Sequence, residues 1–97
     1  MITEIRWTIA EGNVFCDDTG QLDRELSLDN LRQEILLAMR AAYPDAVVYV
    51  ERQNASGAVE ELQAKSDAPD GYVEEDDLEN IRAVADAVWA RDWEVGK

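Results

Sequence analysis

Histidine is absent from this sequence, and cysteine occurs only once, at Cys16. Without histidine, the chain lacks the commonest general base, metal ligand and pH switch of proteins. A single cysteine excludes an internal disulfide, which is typical of proteins in a reducing compartment. Asp17 and Asp18 follow Cys16 and no basic residue is near it, so we interpret it as a small apolar strand residue. These absences predict a protein that is not an enzyme and that binds no metal or cofactor.

Long apolar runs are also missing. No stretch approaches the roughly 18 apolar residues that a membrane span requires, and the first residues have neither the basic start nor the apolar centre of a signal peptide. Apolar residues nevertheless make up 46% of the 97 residues, which is enough for one core. We therefore expect a single cytoplasmic domain that spans residues 1–97.

Basic residues are scarce. There are 9 Lys and Arg against 22 Asp and Glu, which gives a formal net charge of −13 at pH 7. Such a surface repels nucleic acids and anionic lipids, because both are polyanions. We expect no direct contact with nucleic acid or membrane, and we predict that the natural partner is a basic surface on another protein.

Hydrophobic periodicity predicts the order of the elements. Ile5, Trp7 and Ile9 alternate with polar residues, and turn signals follow, so a β-hairpin is predicted over residues 2–17. An apolar run at residues 46–53 predicts a strand, interpreted as central because both of its faces are apolar. Residues 58–65 fit either a helix or a strand, and the strand gives the simpler topology.

Two amphipathic helices are predicted. Ser27 is the expected N-cap of the first, and Pro44 disfavours helical geometry at Tyr43, where this helix should end. The second begins within the acidic residues near Asp76, which with Glu79 has capping-box spacing. The predicted fold is therefore α+β, in the order ββαββα, with a mostly antiparallel sheet and two helices packed on one face.

The candidate binding residues concentrate in one part of the chain, because no basic residue lies between Lys65 and Arg82. The spacing of oxygen ligands there does not match an EF-hand loop, and a solvated, acid-rich helix start is the alternative interpretation. Trp93 is added as a possible interface anchor, with packing onto the domain as its alternative. The predicted partner-binding residues are Asp67, Asp70, Glu74, Glu75, Asp76, Asp77, Glu79 and Trp93.

The sequence leaves four functional hypotheses to be compared. In size and composition the chain resembles small acidic proteins of phages and mobile elements, such as anti-CRISPR and anti-restriction proteins, although no residue motif assigns it to a family. The resemblance implies an inhibitor that occludes a basic nucleic-acid-binding surface by charge mimicry. The alternatives are a non-catalytic adaptor or homodimer that uses an apolar patch or sheet edge, and an acidity that reflects only solubility or a high-salt environment. A pocket with two converging carboxylates would instead favour an enzyme.

Overall fold

A computed structural model describes residues 1–10, 23–53, 60–91 and 93–95. Their elements follow the order β1 (Ile2–Ala10), α1 (Arg24–Ala42), β2 (Val47–Gln53), β3 (Glu61–Ser66) and α2 (Glu75–Trp89). The described part thus contains two helices and a three-stranded mixed sheet, which confirms the α+β class. The second strand of the predicted hairpin lies outside the described residues.

The sheet has the order β2-β1-β3, with β1 in the centre. β1 runs antiparallel to β3, with Trp7 opposite Leu62, but parallel to β2, with Trp7 opposite Val50. The expectation of a mostly antiparallel sheet is therefore wrong for the β1–β2 pair. The reason is that α1 connects these two strands, and a helical crossover returns the chain to the end of the sheet from which it started.

β2 is confirmed as a strand, but within the sheet that the described residues form it lies at an edge and not at the centre. Val48 and Val50 are buried, whereas Val47 is 54% exposed and Tyr49 is also exposed. The apolar run predicted burial on both faces, but only one face of the sheet is covered by helices in the described part of the chain. The preference for a strand at residues 58–65 is confirmed by β3, in which Leu62 and Ala64 are half-buried and their neighbours are exposed.

The core lies between one face of the sheet and both helices. Ile5, Trp7 and Ile9 project from β1 towards the helices, together with Val48 and Val50 from β2. The buried residues that meet them from α1, α2 and the C-terminal segment are Leu28, Leu31, Ile35, Met39, Ile81, Ala85, Val88 and Trp93. Neither helix among the described residues is long and apolar enough to cross a bilayer.

The helix ends differ from those predicted. The N-cap of α1 is Asp23, whose carboxylate accepts a hydrogen bond from the Leu26 backbone N at 3.1 Å, and Ser27 is a buried residue inside the helix. The N-cap of α2 is Glu74, which makes no side-chain cap bond, so the predicted capping box of Asp76 and Glu79 is not formed. The C-terminal end of α1 is as predicted, because Tyr43 is its C-cap.

Candidate functional site

The acidic segment, residues 67–79, forms the loop after β3 and the start of α2. Asp67 follows the last residue of β3, Glu74 caps α2, and Glu75 is its first residue. The carboxylates of the first turn lie where the partial positive charge of the helix N-terminus stabilises them. All of the acidic side chains predicted to bind a partner are exposed: Asp67, Asp70, Glu74, Glu75, Asp76, Asp77 and Glu79.

Local hydrogen bonds fix the loop that carries the first of these carboxylates. Asp70 Oδ1 accepts from the Tyr72 backbone N at 3.0 Å, and the Ala68 N donates to Ser66 Oγ at 3.2 Å. Ser66 Oγ itself donates to the Tyr72 carbonyl. Gly71 has a φ of 71°, a left-handed conformation that glycine adopts without strain. The loop is therefore held by its own polar side chains, and Asp70 is partly used for that purpose.

Few of the carboxylates in the acidic segment are neutralised within the molecule. Asp67 Oδ1 accepts from the α-ammonium group of Met1 at 2.9 Å, and this hydrogen bond and charge lower the pKa of Asp67. Glu75 lies 3.5 Å from Arg82. The other five, Asp70, Glu74, Asp76, Asp77 and Glu79, form no ion pair with the described residues.

Charge is unevenly distributed along the fold. Residues 60–80 carry nine carboxylates and one lysine, a net −8 of the chain's −13. Residues 23–53, which contain α1 and β2, carry six carboxylates and four arginines, a net −2. Ion pairs such as Arg52–Glu25 at 2.9 Å and Arg6–Glu51 at 2.8 Å partly neutralise that half. The negative potential is therefore concentrated on β3, the loop and the beginning of α2.

Trp93 lies away from the acidic segment, after the C-terminal end of α2. The residue is 5% exposed, and its ring packs edge-on against Trp89, with the ring centroids 5.4 Å apart. Its Nε1 donates to the Trp89 carbonyl at 3.3 Å, and Asn30 Nδ2 donates to the Trp93 carbonyl at 3.0 Å. The structure thus places Trp93 in the core, as the alternative interpretation of this residue expected, and gives its ring almost no surface for a partner.

The sequence did not indicate a second cluster of carboxylates, where β3 begins beside α2. Glu60 and Asp86 line a pocket of about 220 Å³ together with Trp7 and Arg82. Partial burial, and then the charge of Asp86, raise the pKa of Glu60. The buried Nε1 of Trp7 has no hydrogen-bond partner among the residues that the structure describes. Pockets for small molecules usually span roughly 300–1,000 Å³, so this one leaves little room for a sugar between two carboxylates. We assign no reaction to it.

Metal binding and relatedness to known proteins give no further constraint on the site. Within the described ranges, no group of Cys, Asp and Glu side chains is arranged to hold a metal ion. The chain matches no family model, no curated protein and no solved structure.

Proposed function

We propose that this chain is a small acidic inhibitor that binds another protein and occludes a basic, nucleic-acid-binding surface by charge mimicry. Anti-CRISPR and anti-restriction proteins of phages and mobile elements are the type of protein intended. The observation that carries the proposal is the uneven distribution of charge, with net −8 on residues 60–80 and net −2 on residues 23–53. An acidity that served only solubility or a salty environment would be spread over every face.

The acidic segment has the properties that mimicry requires. Its carboxylates are exposed and most of them have no cation of their own, so binding a partner breaks few ion pairs. Glu75 and Glu79 are four helical residues apart, about 6 Å along the axis, and duplex DNA presents a similarly dense row of negative charge. Lysines and arginines that normally contact phosphates would pair with these carboxylates, and binding should weaken as salt is added.

One edge and one face of the sheet favour a second candidate, an adaptor or homodimer. Among the described strands β2 pairs only with β1, and Val47 and Tyr49 project from the face that no described helix covers. The guanidinium of Arg6 lies 4.8 Å from the Tyr49 ring centroid, so part of this face is already covered within the chain. Two copies would each carry −13, and their repulsion opposes self-association.

The proposal is tested by neutralising the helix start without changing its shape. The test variant is E75Q/D76N/E79Q, and the matched control is D29N/E51Q/E94Q, which removes three exposed carboxylates outside residues 60–80. Each protein is immobilised, and host proteins are captured from lysate at about 50 mM and about 500 mM NaCl. Captured proteins are identified and then challenged with duplex DNA or RNA.

We expect the unmodified chain and the control to capture a nucleic-acid-binding protein that high salt and nucleic acid both displace. Three exposed ion pairs at about 0.5 kcal/mol each correspond to roughly a tenfold loss of affinity in the test variant. Full binding by the test variant would show that the acidic segment is not the interface. A partner that resists both salt and nucleic acid would support the adaptor instead.

A further inference from the structure

An apolar pocket adjoins the acidic segment, where the end of α1 meets the start of β1. Its volume is about 220 Å³, and its lining is mostly apolar. The residues that line it are Met1, Ile2, Ala42, Tyr43, Pro44, Asp45 and Ala46. A space of this size fits one side chain rather than a drug-sized molecule.

Carboxylates of the acidic segment lie beside two residues of the pocket wall. The Met1 α-ammonium group contacts Asp67, and the Asp67 backbone N donates to the Met1 carbonyl at 3.0 Å. On the other side, burial and then the charge of Asp77, in the first turn of α2, raise the pKa of the Tyr43 phenol. Asp45 is itself part of the lining. The pocket is therefore bordered by the carboxylate of Asp45 and by the ion pair of Asp67 with the Met1 α-ammonium group.

Large apolar side chains are also exposed at this end of the molecule. Met1 is 73% exposed and Tyr72 is 65% exposed. They lie at the same end of the sheet, because the Tyr72 carbonyl accepts a hydrogen bond from Ser66, whose neighbour Asp67 contacts Met1. Exposed apolar residues next to exposed carboxylates form the kind of mixed surface that protein interfaces use.

We propose that this pocket receives one apolar side chain, the size of leucine, from the basic partner, while flanking lysines or arginines of that partner pair with Asp45 and Asp77. This inference rests on the proposed function, and it specifies the partner further as a basic segment that contains an apolar anchor. Charge complementarity selects the occupant, because Asp45 in the lining and the net charge of −13 favour cationic residues around the anchor. The buried anchor supplies affinity that salt does not remove, and the carboxylates supply orientation.

Two synthetic peptides separate the anchor from the charge. The probes are N-acetylated, C-amidated Lys-Lys-Leu-Lys-Lys and its serine analogue Lys-Lys-Ser-Lys-Lys, titrated into the ¹⁵N-labelled protein at about 50 mM NaCl. Both should bind, and the leucine peptide should bind roughly tenfold more tightly, because burying most of a leucine contributes about one decade of affinity or more. Only the leucine peptide should shift the amide signals of Tyr43 and Ala46.

Filling the pocket provides the decisive variant. Ala42 is exposed and lines the pocket, so the phenylalanine ring of A42F should occupy the space. The leucine and serine peptides should then bind this variant with about equal affinity. Ala41 is the matched control, since it is also exposed on α1 and is not part of the lining. D77N should weaken both peptides by a similar factor of about two. Amide shifts in the unmodified chain provide a readout that does not depend on the folding of any variant.

The outcomes distinguish this inference from the proposed function. If neither peptide binds, the acidic segment does not recognise basic segments and both proposals fall. If both peptides bind equally and A42F changes nothing, the pocket proposal is overturned while charge mimicry survives. A leucine preference that A42F abolishes and A41F retains supports both.

Discussion

Ser27 and Val95 are joined by hydrogen bonds, although they are 68 positions apart in the sequence. The Val95 backbone N donates to Ser27 Oγ at 2.8 Å, and Ser27 Oγ lies 3.4 Å from the Val95 carbonyl. That carbonyl also accepts from the backbone N of Asp23 at 2.8 Å. These bonds attach the C-terminal segment to the first turn of α1, and they keep Trp93 in the core.

We expect S27A to destabilise the fold by about 1–2 kcal/mol, since it leaves the part-buried Val95 N–H without its acceptor. For a domain of this size, each kcal/mol corresponds to a decrease of about 4–8 °C in Tm. Urea unfolding measures the loss, and hydrogen exchange should become faster at Val95. Q33A, on an exposed position of α1, should change stability by less than about 0.5 kcal/mol. Equal stability of S27A and the unmodified chain would show that the hydroxyl does not anchor this segment.

Trp93 should behave as a core residue. We predict that W93A lowers the free energy of unfolding by about 3–5 kcal/mol, and that W93F loses clearly less because it keeps an aromatic ring against Trp89. Denaturant unfolding of both variants provides the measurement. A W93A variant with normal stability and lost partner binding would instead assign Trp93 to an interface.

Gly71 should be sensitive to substitution for conformational reasons alone. Its φ is 71°, and a Cβ built there would meet no atom within 4 Å. We expect G71A to lose about 1–2 kcal/mol of stability from left-handed backbone strain. G71N should lose less, because asparagine tolerates this conformation better. Thermal unfolding of the two variants checks the difference, and similar losses in both would argue against the assigned backbone conformation.

Glu60 should give an unusual pH signature. Because its pKa is raised in the folded state, folding favours the protonated form, and its negative charge destabilises the fold at neutral pH. This destabilisation disappears as the pH falls through the folded pKa towards the unfolded value. Near pH 7, the Tm of E60Q should therefore be a few °C higher than that of the unmodified chain, which corresponds to no more than the ~0.5 kcal/mol typical of exposed sites. Below about pH 4 the two proteins should have the same Tm.

Glu25 provides a control whose pKa is shifted in the opposite direction. A hydrogen bond from Arg52 and its charge lower the pKa of Glu25, so the ionised form is favoured by folding. The stability that the ionised Glu25 contributes is fully present above its pKa in the unfolded state. It is lost as the pH falls through the lower pKa of Glu25 in the folded state. E25Q should be less stable than the unmodified chain near neutral pH, with convergence in acid. The Tm of E60Q and E25Q is measured from neutral to acidic pH. The two assigned pKa shifts would be contradicted if both substitutions changed the Tm near neutral pH in the same direction.

Added salt should stabilise the folded chain. With a net charge of −13, repulsion between carboxylates opposes folding, and salt screens it. We predict that Tm rises by several °C between about 20 mM and about 500 mM NaCl, and that E75Q/D76N/E79Q shows a smaller rise. A Tm that does not change with salt would indicate that repulsion between carboxylates does not destabilise the fold. Folding only in molar salt would support the environmental interpretation of the acidity.

Local sequence patterns predict the elements of this fold better than their arrangement. Alternation at Ile5, Trp7 and Ile9 specifies a half-buried strand because side chains on a strand alternate between faces. No such local rule indicates that β2 lies beside β1 in parallel, which depends on the path of the chain through α1. The N-cap of α1 was misplaced for a similar reason. Asp23 and Ser27 are both suitable caps, and Ser27 is used by Val95, far away in the sequence.

The same distinction applies to the candidate site. The acidic segment can be recognised from the sequence because its members are consecutive or nearly so. The apolar pocket cannot, since it joins Met1 to Tyr43 and Ala46, residues that meet only after β1 and β2 have paired. The packing of Trp93 likewise depends on contacts with Asn30 and Trp89 that spacing alone does not reveal.

The central position of β1 has a consequence for synthesis on the ribosome. The first strand to emerge is the one that needs two neighbours, yet β2 is complete only at Gln53 and β3 only at Ser66. Until both have left the exit tunnel, an apolar strand with open edges is available to other nascent chains. The acidic segment follows β3 directly, so the charge proposed to attract a partner emerges when these strands are complete, and it then repels other copies while α2 is still unfinished.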